Sequence, residues 1–459
     1  MSAILPGADD TIAALATPPG RGALAVVRMS GPKAQEIASH VLDPWRPAPR
    51  VAYRAKLSDP VTGRLIERPV VTVYRGPRSY TGEDLVELSV HGGHVGPARA
   101  LGALLAAGAR VALPGEFTRR AVAAGKLDVL QAEAIGDLID AESQVMHDAA
   151  LSQLDGRLSR RIAELREAVM RVEGMIAYDI DFPEEDSGPI DPARVKEATA
   201  ALIEALERLL ATAAAGEVIR RGARVVLAGV PNVGKSSLFN ALVGRERAIV
   251  TQYAGTTRDA IEAVVDLGAW PVRLVDTAGL RATEDPIEQL GVAMTERTMA
   301  DADVVLACGD SRSSLGEAVT AAGRLTQAPV VSVRTKGDLV EEGYESNGSA
   351  TVVVSALTGA GLGTLRARLE DLVRVRAGDD SRDTPLLTRE RHRVAIAQAR
   401  AEVGAFSDAW SREDASSAVP VVIAAVHLRA AALALESLIG VIDVEDVLDH
   451  VFRTFCVGK

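Results

Sequence analysis

A chain of 459 residues with 47% apolar and 25% charged side chains is a soluble globular one, with material for roughly three domains; only 3% are aromatic, so its interiors should be aliphatic and helix-rich. Two cysteines exclude a disulfide framework, and a net charge of −11 excludes gripping nucleic acid by bulk positive charge, so any RNA must be held by a local basic patch or a partner subunit. The opening MSAILPGADD lacks the features of a secretory signal, and the most apolar later run is cut by Pro420, His427, Arg429 and Glu436, so no membrane span and a reducing, cytoplasmic setting are expected.

Up to about Lys126 the chain is turn-rich. GALAVVRMSG, PVVTVYRG and DLVELSVHGG read as strands and KAQEIASHVL as a helix, which makes residues 1–126 one α+β domain. After Leu127 the period changes. Leu151, Leu154, Leu158, Ile162, Leu165, Val169, Val172 and Ile176 step by three and four and predict one stripe of one long helix. An acidic loop, DFPEED, separates it from a second helix expected from about Pro192 to Ala215, so residues 127–221 form a helical piece. From 222 to 376, ARVVLAGV, VRLVDTAG, DVVLACGD, PVVSVRTKGD and ATVVVSAL predict buried strands alternating with helices, hence a mostly parallel sheet. RAGDDSRDTP reads as a solvated linker. Residues 377–459 are helical again and end on an apolar face of Val447, Leu448, Val451, Phe452 and Phe455. The expected fold is multidomain α/β: an N-terminal α+β domain, a discontinuous helical domain, and a Ras-like P-loop domain inserted into it.

Between a predicted strand and a predicted helix stands GVPNVGKSS, Gly229–Ser237, which fits G-x-x-x-x-G-K-[ST] in its required context. Its glycines let backbone N–H groups converge on phosphate oxygens, Lys235 can neutralise the β- and γ-phosphates, and the Ser236 hydroxyl can ligate Mg²⁺. GTTRD supplies Thr257 to complete the Mg²⁺ shell, and DTAG places Asp276 near the metal and the Gly279 N–H near the γ-phosphate. In TKGD, the Asp338 carboxylate can accept both N–H groups of guanine's edge, which argues GTP over ATP. SAL, Ser355–Leu357, would close over the base through its backbone.

Two positions depart from the usual pattern. Thr335 stands where the guanine motif ordinarily has Asn, and a hydroxyl cannot make both hydrogen bonds of an amide, so lower guanine affinity is expected. Leu280 stands where Ras-like proteins orient the attacking water with glutamine, leaving Glu284, Asp285 and Glu288 downstream as substitutes. Arg258 and Arg281 lie in the switches without an obvious finger role, and Asn232 offers an amide oxygen where a monovalent cation could rest. Solvent-facing loop carboxylates and a turn asparagine are the competing readings. His91 and His94 have no further ligands at metal spacing, and Cys308 reads as core strand.

These motifs in order, together with ATPPGRGALAVVRMSG, SYTGEDLVELSVHGG, PGEFTRRAVAAGKLDVLQAEAIGDLIDA and the terminal FCVGK, resemble the tRNA modification GTPase family MnmE, also called TrmE, over essentially the whole chain. The resemblance implies GTP contacts from Asn232, Val233, Gly234, Lys235, Ser236 and Ser237, from Thr251, Gln252, Tyr253, Ala254, Gly255, Thr256 and Thr257, and from Asp276, Thr277, Ala278 and Gly279. It extends them to Thr335, Lys336, Asp338, Ser355, Ala356 and Leu357. It implies a K⁺ held by Asn232, Thr256 and main-chain oxygens of Thr251 and Tyr253, with Glu288 orienting the hydrolytic water. It further implies a homodimer, a folate-binding N-terminal domain with Arg28, Glu87, Lys126 and Lys459 at a tetrahydrofolate derivative (5-formyl- or 5,10-methylene-), and an FAD-dependent MnmG/GidA-like partner. With that partner the family adds an aminomethyl-type group to the wobble uridine of tRNA. Cys456 would be carried towards the folate, where a thiolate could add to a pyrimidine or trap a one-carbon electrophile; the competing reading is a small apolar residue at a helix end. A regulatory GTPase of ribosome assembly and a one-carbon transferase with a merely structural nucleotide domain are the alternative functions.

Overall fold

The computed structural model describes residues 10–181, 192–244, 261–276, 297–339, 351–378, 384–411, 418–440 and 458. The chain divides into two compact units, Met1–Gly136 with Ile439–Lys459, and Asp137–Leu438. Among the described residues no helix is long and apolar enough to cross a membrane.

The first unit contains β1 (Ile12–Leu15), β2 (Leu24–Ser30), α1 (Ala34–Val41), β3 (Leu42–Asp43), β4 (Tyr53–Arg54), β5 (Lys56–Ser58), β6 (Leu65–Glu67), β7 (Val70–Tyr74), β8 (Leu85–His91), α2 (Gly96–Ala106), β9 (Arg110–Val111) and α3 (Glu116–Ala123). Its main sheet runs β4-β7-β8-β2-β1-β9. Alternation along β2 and β8 sends Ala25, Val27, Met29, Val86, Leu88 and Val90 to one face, where Ile37 and Val41 of α1 and Ala100 and Leu104 of α2 pack on them. The same period-two rule turns Arg28 and Glu87, direct register partners, to the other face. There Asp10, Glu116, Glu83, Arg110 and the buried Arg120 form one ion-pair network, which ties α3 to the loop before β8. Gly458 returns against the end of β1: a Cβ on it would lie 2.2 Å from the Leu15 carbonyl oxygen, and its φ is +108°. The terminal apolar face at Val447, Leu448, Val451, Phe452 and Phe455 lies outside the described residues.

A helix α4 (Val129–Asp140) leads to α5 (Gln144–Leu154), α6 (Arg157–Asp181), α7 (Pro192–Ala211) and α8 (Ala213–Arg221). The predicted single stripe is thus split. Gly156, at φ +76°, ends α5 in a left-handed turn, so only Leu158, Ile162, Leu165, Val169, Val172 and Ile176 share a buried line, while Leu151 is 41% exposed. The second predicted helix also breaks, at Thr212, before reaching Ala215. The Thr212 hydroxyl donates to the Leu209 carbonyl and accepts the Leu387 N–H at 3.1 Å, so the break is where the returning chain docks. Consequently the segment just after the expected solvated linker is packed: Leu387 is 1% and Thr388 6% exposed.

Next come β10 (Ala223–Ala228), α9 (Lys235–Val243), β11 (Ile261–Leu267), β12 (Trp270–Asp276), β13 (Val304–Gly309), α10 (Arg312–Leu325), β14 (Val330–Arg334), β15 (Thr351–Val353), α11 (Leu362–Ala377), α12 (Glu390–Ser411) and α13 (Ala418–Ile439). The sheet order is β11-β12-β10-β13-β14-β15. All pairs are parallel except β11 with β12, an antiparallel edge the sequence pattern did not separate from a helix or loop. Neighbours on opposite sides of β10 come later in the chain, so β10 sits at the topological switch point where ligands bind in open α/β sheets. Asp303, 1% exposed, closes the base of this sheet. Its carboxylate accepts from Arg221 before β10 (3.0 Å), from Arg376 of α11 (2.7 Å), and from the Arg224 N–H (2.8 Å).

Gly216 faces the returning segment so closely that a Cβ would lie 2.2 Å from the Leu387 carbonyl oxygen. Gly216→Ala gains up to about 1 kcal/mol of helix propensity, but forcing backbone from backbone costs about 1–3 kcal/mol. The expected result is net destabilisation and a lower Tm in thermal unfolding. An unchanged or higher Tm would refute this account of the docking.

Candidate functional site

The phosphate loop crosses the carboxyl end of the sheet between β10 and α9. Gly229, at φ +148°, lies so close to β13 that a Cβ would sit 2.3 Å from the Cys308 carbonyl oxygen. Asn232 adopts φ +65° and Gly234 φ +96°, left-handed residues on either side of Val233 that turn successive N–H groups into a concave nest at the start of α9. Lys235 is 7% exposed, and its Nζ donates to the Gly229 (2.7 Å) and Val230 (3.1 Å) carbonyls, holding the cation within the loop. Ser236 and Ser237 are exposed on the first turn of α9. Asp276, 1% exposed, ends β12 opposite Leu227 in the register. Lys235 and Asp276 both act electrostatically on the Cys308 thiol, so cation, carboxylate and loop converge on one place.

The residues expected on the base side lie at the ends of β14 and β15. Thr335, 3% exposed, bonds through its hydroxyl to the Val233 carbonyl of the phosphate loop and lies 3.2 Å from the Gly309 carbonyl, which also accepts the Thr335 N–H at 2.9 Å. Thr335, whose hydroxyl was expected to lower guanine affinity relative to an amide, points that hydroxyl into the phosphate loop. Lys336 (φ +54°) donates to Asp310 at 2.7 Å, and this ammonium holds the Asp310 carboxyl below the usual range. Asp338 is exposed in a short 3-10 turn, Gly337–Leu339, and accepts from the Ser355 hydroxyl at 2.5 Å, which lowers its pKa. Ser355 is itself fixed: its Oγ accepts the Thr358 N–H and its N–H donates to the Ala360 carbonyl. Leu339 and Leu357, 75% and 85% exposed, offer apolar surface on the turns that follow Asp338 and Ser355. Ala356 lies between the latter two anchors.

Thr251, Gln252, Tyr253, Ala254, Gly255, Thr256, Thr257, Thr277, Ala278, Gly279, Leu280 and Glu288 lie outside the described residues, as do Cys456 and Lys459. Of the described residues predicted to bind nucleotide, Asn232, Val233, Gly234, Lys235, Asp276 and Thr335 belong to one connected cluster, and Lys336, Asp338 and Ser355 to a second that Thr335 joins to it. Asp310, partner of Lys336, was not singled out in the sequence. Its position in ACGD, after a buried strand, was the available signal.

In the first unit Arg28 Nε donates to Glu87 at 2.9 Å, each side chain 22% exposed. The guanidinium lies over the rings of Tyr80 (5.4 Å) and Phe117 (5.7 Å), two residues the sequence reading did not name. Tyr74 reaches Glu87 at 3.5 Å, and burial, aided by that carboxylate's charge, pushes the Tyr74 hydroxyl's pKa up. Lys126 is exposed, and its aliphatic stem passes the loop at Gly82, two residues from Tyr80. Among the described residues no cluster of His, Cys, Asp and Glu suits a metal, His91 pairing instead with Glu67.

The fold and this loop define a P-loop nucleotide-binding protein with a guanine-type reading turn. The pattern described as "GTP-binding protein TrmE N-terminus" matches residues 11–126, and that described as "MnmE helical domain" matches residues 129–456. Relatives named "tRNA modification GTPase MnmE" are 40% identical in Moorella thermoacetica and 42% in Symbiobacterium thermophilum, each across 98% of this chain and 100% of the relative. The relative of that name in Aquifex aeolicus is 38% identical over the same shares. The chain belongs to the MnmE family of tRNA modification GTPases and is a GTP-hydrolysing enzyme.

Cys308 is fully buried in β13, and burial pushes its thiol up to about 12, with Lys235 opposing and Asp276 adding to the shift. At pH 8 its thiolate fraction is on the order of one in ten thousand. Cys308 should therefore resist iodoacetamide in the native protein and react after denaturation, read by peptide mapping. Rapid native labelling would contradict the burial.

Proposed function

We propose that this enzyme hydrolyses GTP to drive modification of the wobble uridine of tRNA, working as a cytoplasmic homodimer with an FAD-dependent partner and a tetrahydrofolate one-carbon donor. The observation that carries the reading is the end-to-end match to relatives named for tRNA modification, 40% identical over 98% of the chain in one case. Residues 1–126 are the folate-binding and dimer-forming domain, 127–221 and 377–459 the helical domain, and 222–376 the GTPase domain.

Each group's chemistry suits its part. The nest of N–H groups and Lys235 neutralise phosphate charge as it shifts during cleavage. Mg²⁺, when bound, polarises the phosphates; Ser236 and Thr257 would hold it, and the exposed Ser236 hydroxyl next to the loop, with Asp276 converging on the same place, fits that role. K⁺ supplies a further positive charge, with Asn232, Thr256 and the main chain of Thr251 and Tyr253 as its donors. Asn232, exposed at the loop's left-handed turn, suits it. Glu288 orients the hydrolytic water in place of the glutamine that Leu280 lacks. Asp338, fixed by Ser355, accepts guanine's paired N–H groups. For the folate, Arg28 and Lys126 match an anionic tail and Glu87 an amino edge. The rings beneath Arg28 suit a planar ligand, with Lys459 and Cys456 brought from the chain's end.

Asp338→Asn should weaken GTP binding by on the order of tenfold or more, because one of its two acceptors becomes a donor. Nucleotide titration reads this, and unchanged affinity would count against Asp338 as the base reader. In cells lacking this protein, nucleoside analysis should find the modified wobble uridine missing. A Glu288→Ala copy should fail to restore it while still binding GTP; normal modification in the null cells would overturn the proposed substrate class.

A further inference from the structure

Among the described residues, Thr335 joins both halves of the nucleotide cluster. It begins the base-reading turn, yet its hydroxyl is aimed at the Val233 carbonyl, in the middle of the phosphate loop, with the Gly309 carbonyl 3.2 Å away. A hydroxyl has one proton to donate. Both neighbours here are carbonyls, which only accept, so that proton is spent inside the protein. Thr335 is 3% exposed, and its Cβ lies 3.7 Å from where a Cβ on Gly234 would be, so the side chain is packed against the phosphate loop. Its N–H is spent on Gly309 as well, at 2.9 Å.

We propose that Thr335 is a positioning residue: it pins the phosphate loop to the carboxyl ends of β13 and β14 and gives no hydrogen bond to the base, so guanine is read at its N1 and 2-amino edge by Asp338 and not at N7. This rests on GTP being the nucleotide bound. The side chain in this chain does one of the two tasks an amide there could share. The Thr335 Cβ packs against Gly234, and the hydroxyl fixes the Val233 carbonyl, which in turn fixes the direction of the N–H groups after it. Losing that bond leaves the Val233 carbonyl without its buried donor and frees the loop to rotate. Every phosphate contact then weakens, whatever base is attached.

The test uses the full chain and three nucleotides: GTP, 7-deaza-GTP, which lacks N7, and inosine triphosphate, which lacks the 2-amino group. The wild type should turn over GTP and 7-deaza-GTP with KM values within about twofold of each other, and discriminate against inosine triphosphate by about tenfold or more. Thr335→Val, which keeps shape and removes the proton, should raise KM for GTP and 7-deaza-GTP equally, by about tenfold, and lower kcat for both. Thr335→Ser should restore most of the loss. The proposal falls if the wild type discriminates strongly against 7-deaza-GTP, or if Thr335→Val matches the wild type on every nucleotide. Should Thr335→Val fail to fold, the wild-type comparison of GTP with 7-deaza-GTP still decides, since strong discrimination overturns the claim and its absence upholds it. A wild type that turns over no GTP at all would instead refute the assignment of the nucleotide.

Discussion

The nucleotide half of this molecule depends on how closely the phosphate loop can lie on the end of a neighbouring strand. Gly229 passes the Cys308 carbonyl at a distance that excludes any side chain. That approach is what lets Lys235 fold back under its own loop and come within electrostatic reach of Asp276. It also sets Val233 where Thr335 can reach it from the far side of β13. Three strands thus fix one loop: β10 by covalent continuity, β13 by contact, β14 by a hydrogen bond. Preorganisation of this kind matters because donors already aimed at phosphate oxygens need no reorganisation when charge develops there.

The same sheet is anchored at its opposite end by charge. Asp303, buried, receives guanidinium groups from the end of α8, just before β10, and from α11, together with the Arg224 N–H. Removing both guanidinium groups would strand a buried carboxylate, a cost of several kcal/mol. Arg273, three residues before Asp276 on β12, contacts Glu142 ahead of α5 at 3.5 Å and the Arg221 carbonyl at 3.3 Å. The strand that delivers the switch carboxylate is therefore fastened directly to the helical part of the chain.

Much of this was legible in the sequence because it rests on local rules. Buried strands such as ARVVLAGV announce themselves by unbroken apolar runs, and GVPNVGKSS between strand and helix fixes a loop type through glycine and lysine spacing. The Arg28–Glu87 pair agrees with two strands whose alternation sets one face. What stayed hidden depends on tertiary partners. Leu151 and Leu158 have the same periodicity and opposite fates, because a single glycine, Gly156, ends the helix between them. The direction of the Thr335 hydroxyl could not be read from TKGD, since the carbonyl it meets lies 102 residues earlier in the chain. Tyr80 and Phe117 reach Arg28 from a loop and a helix whose positions are set by the Arg120 network.

Two glycines with little sequence contrast settle how a discontinuous chain is closed. In the second unit the returning segment lays Leu387 on Gly216 of α8, and in the first the chain's end lays Gly458 on Leu15 of β1, each leaving 2.2 Å between a would-be Cβ and a carbonyl oxygen. Side-chain interdigitation could bring distant segments together at a spacing that tolerates substitution, whereas backbone lying on backbone has no slack. It also allows main-chain hydrogen bonds to cross the seam, as the Leu387 N–H does to Thr212. Helix propensity disfavours glycine in α8 by up to about 1 kcal/mol relative to alanine, so its presence there is paid back only by the contact it permits. The returning segment is thus held against α8 by the absence of a side chain at Gly216.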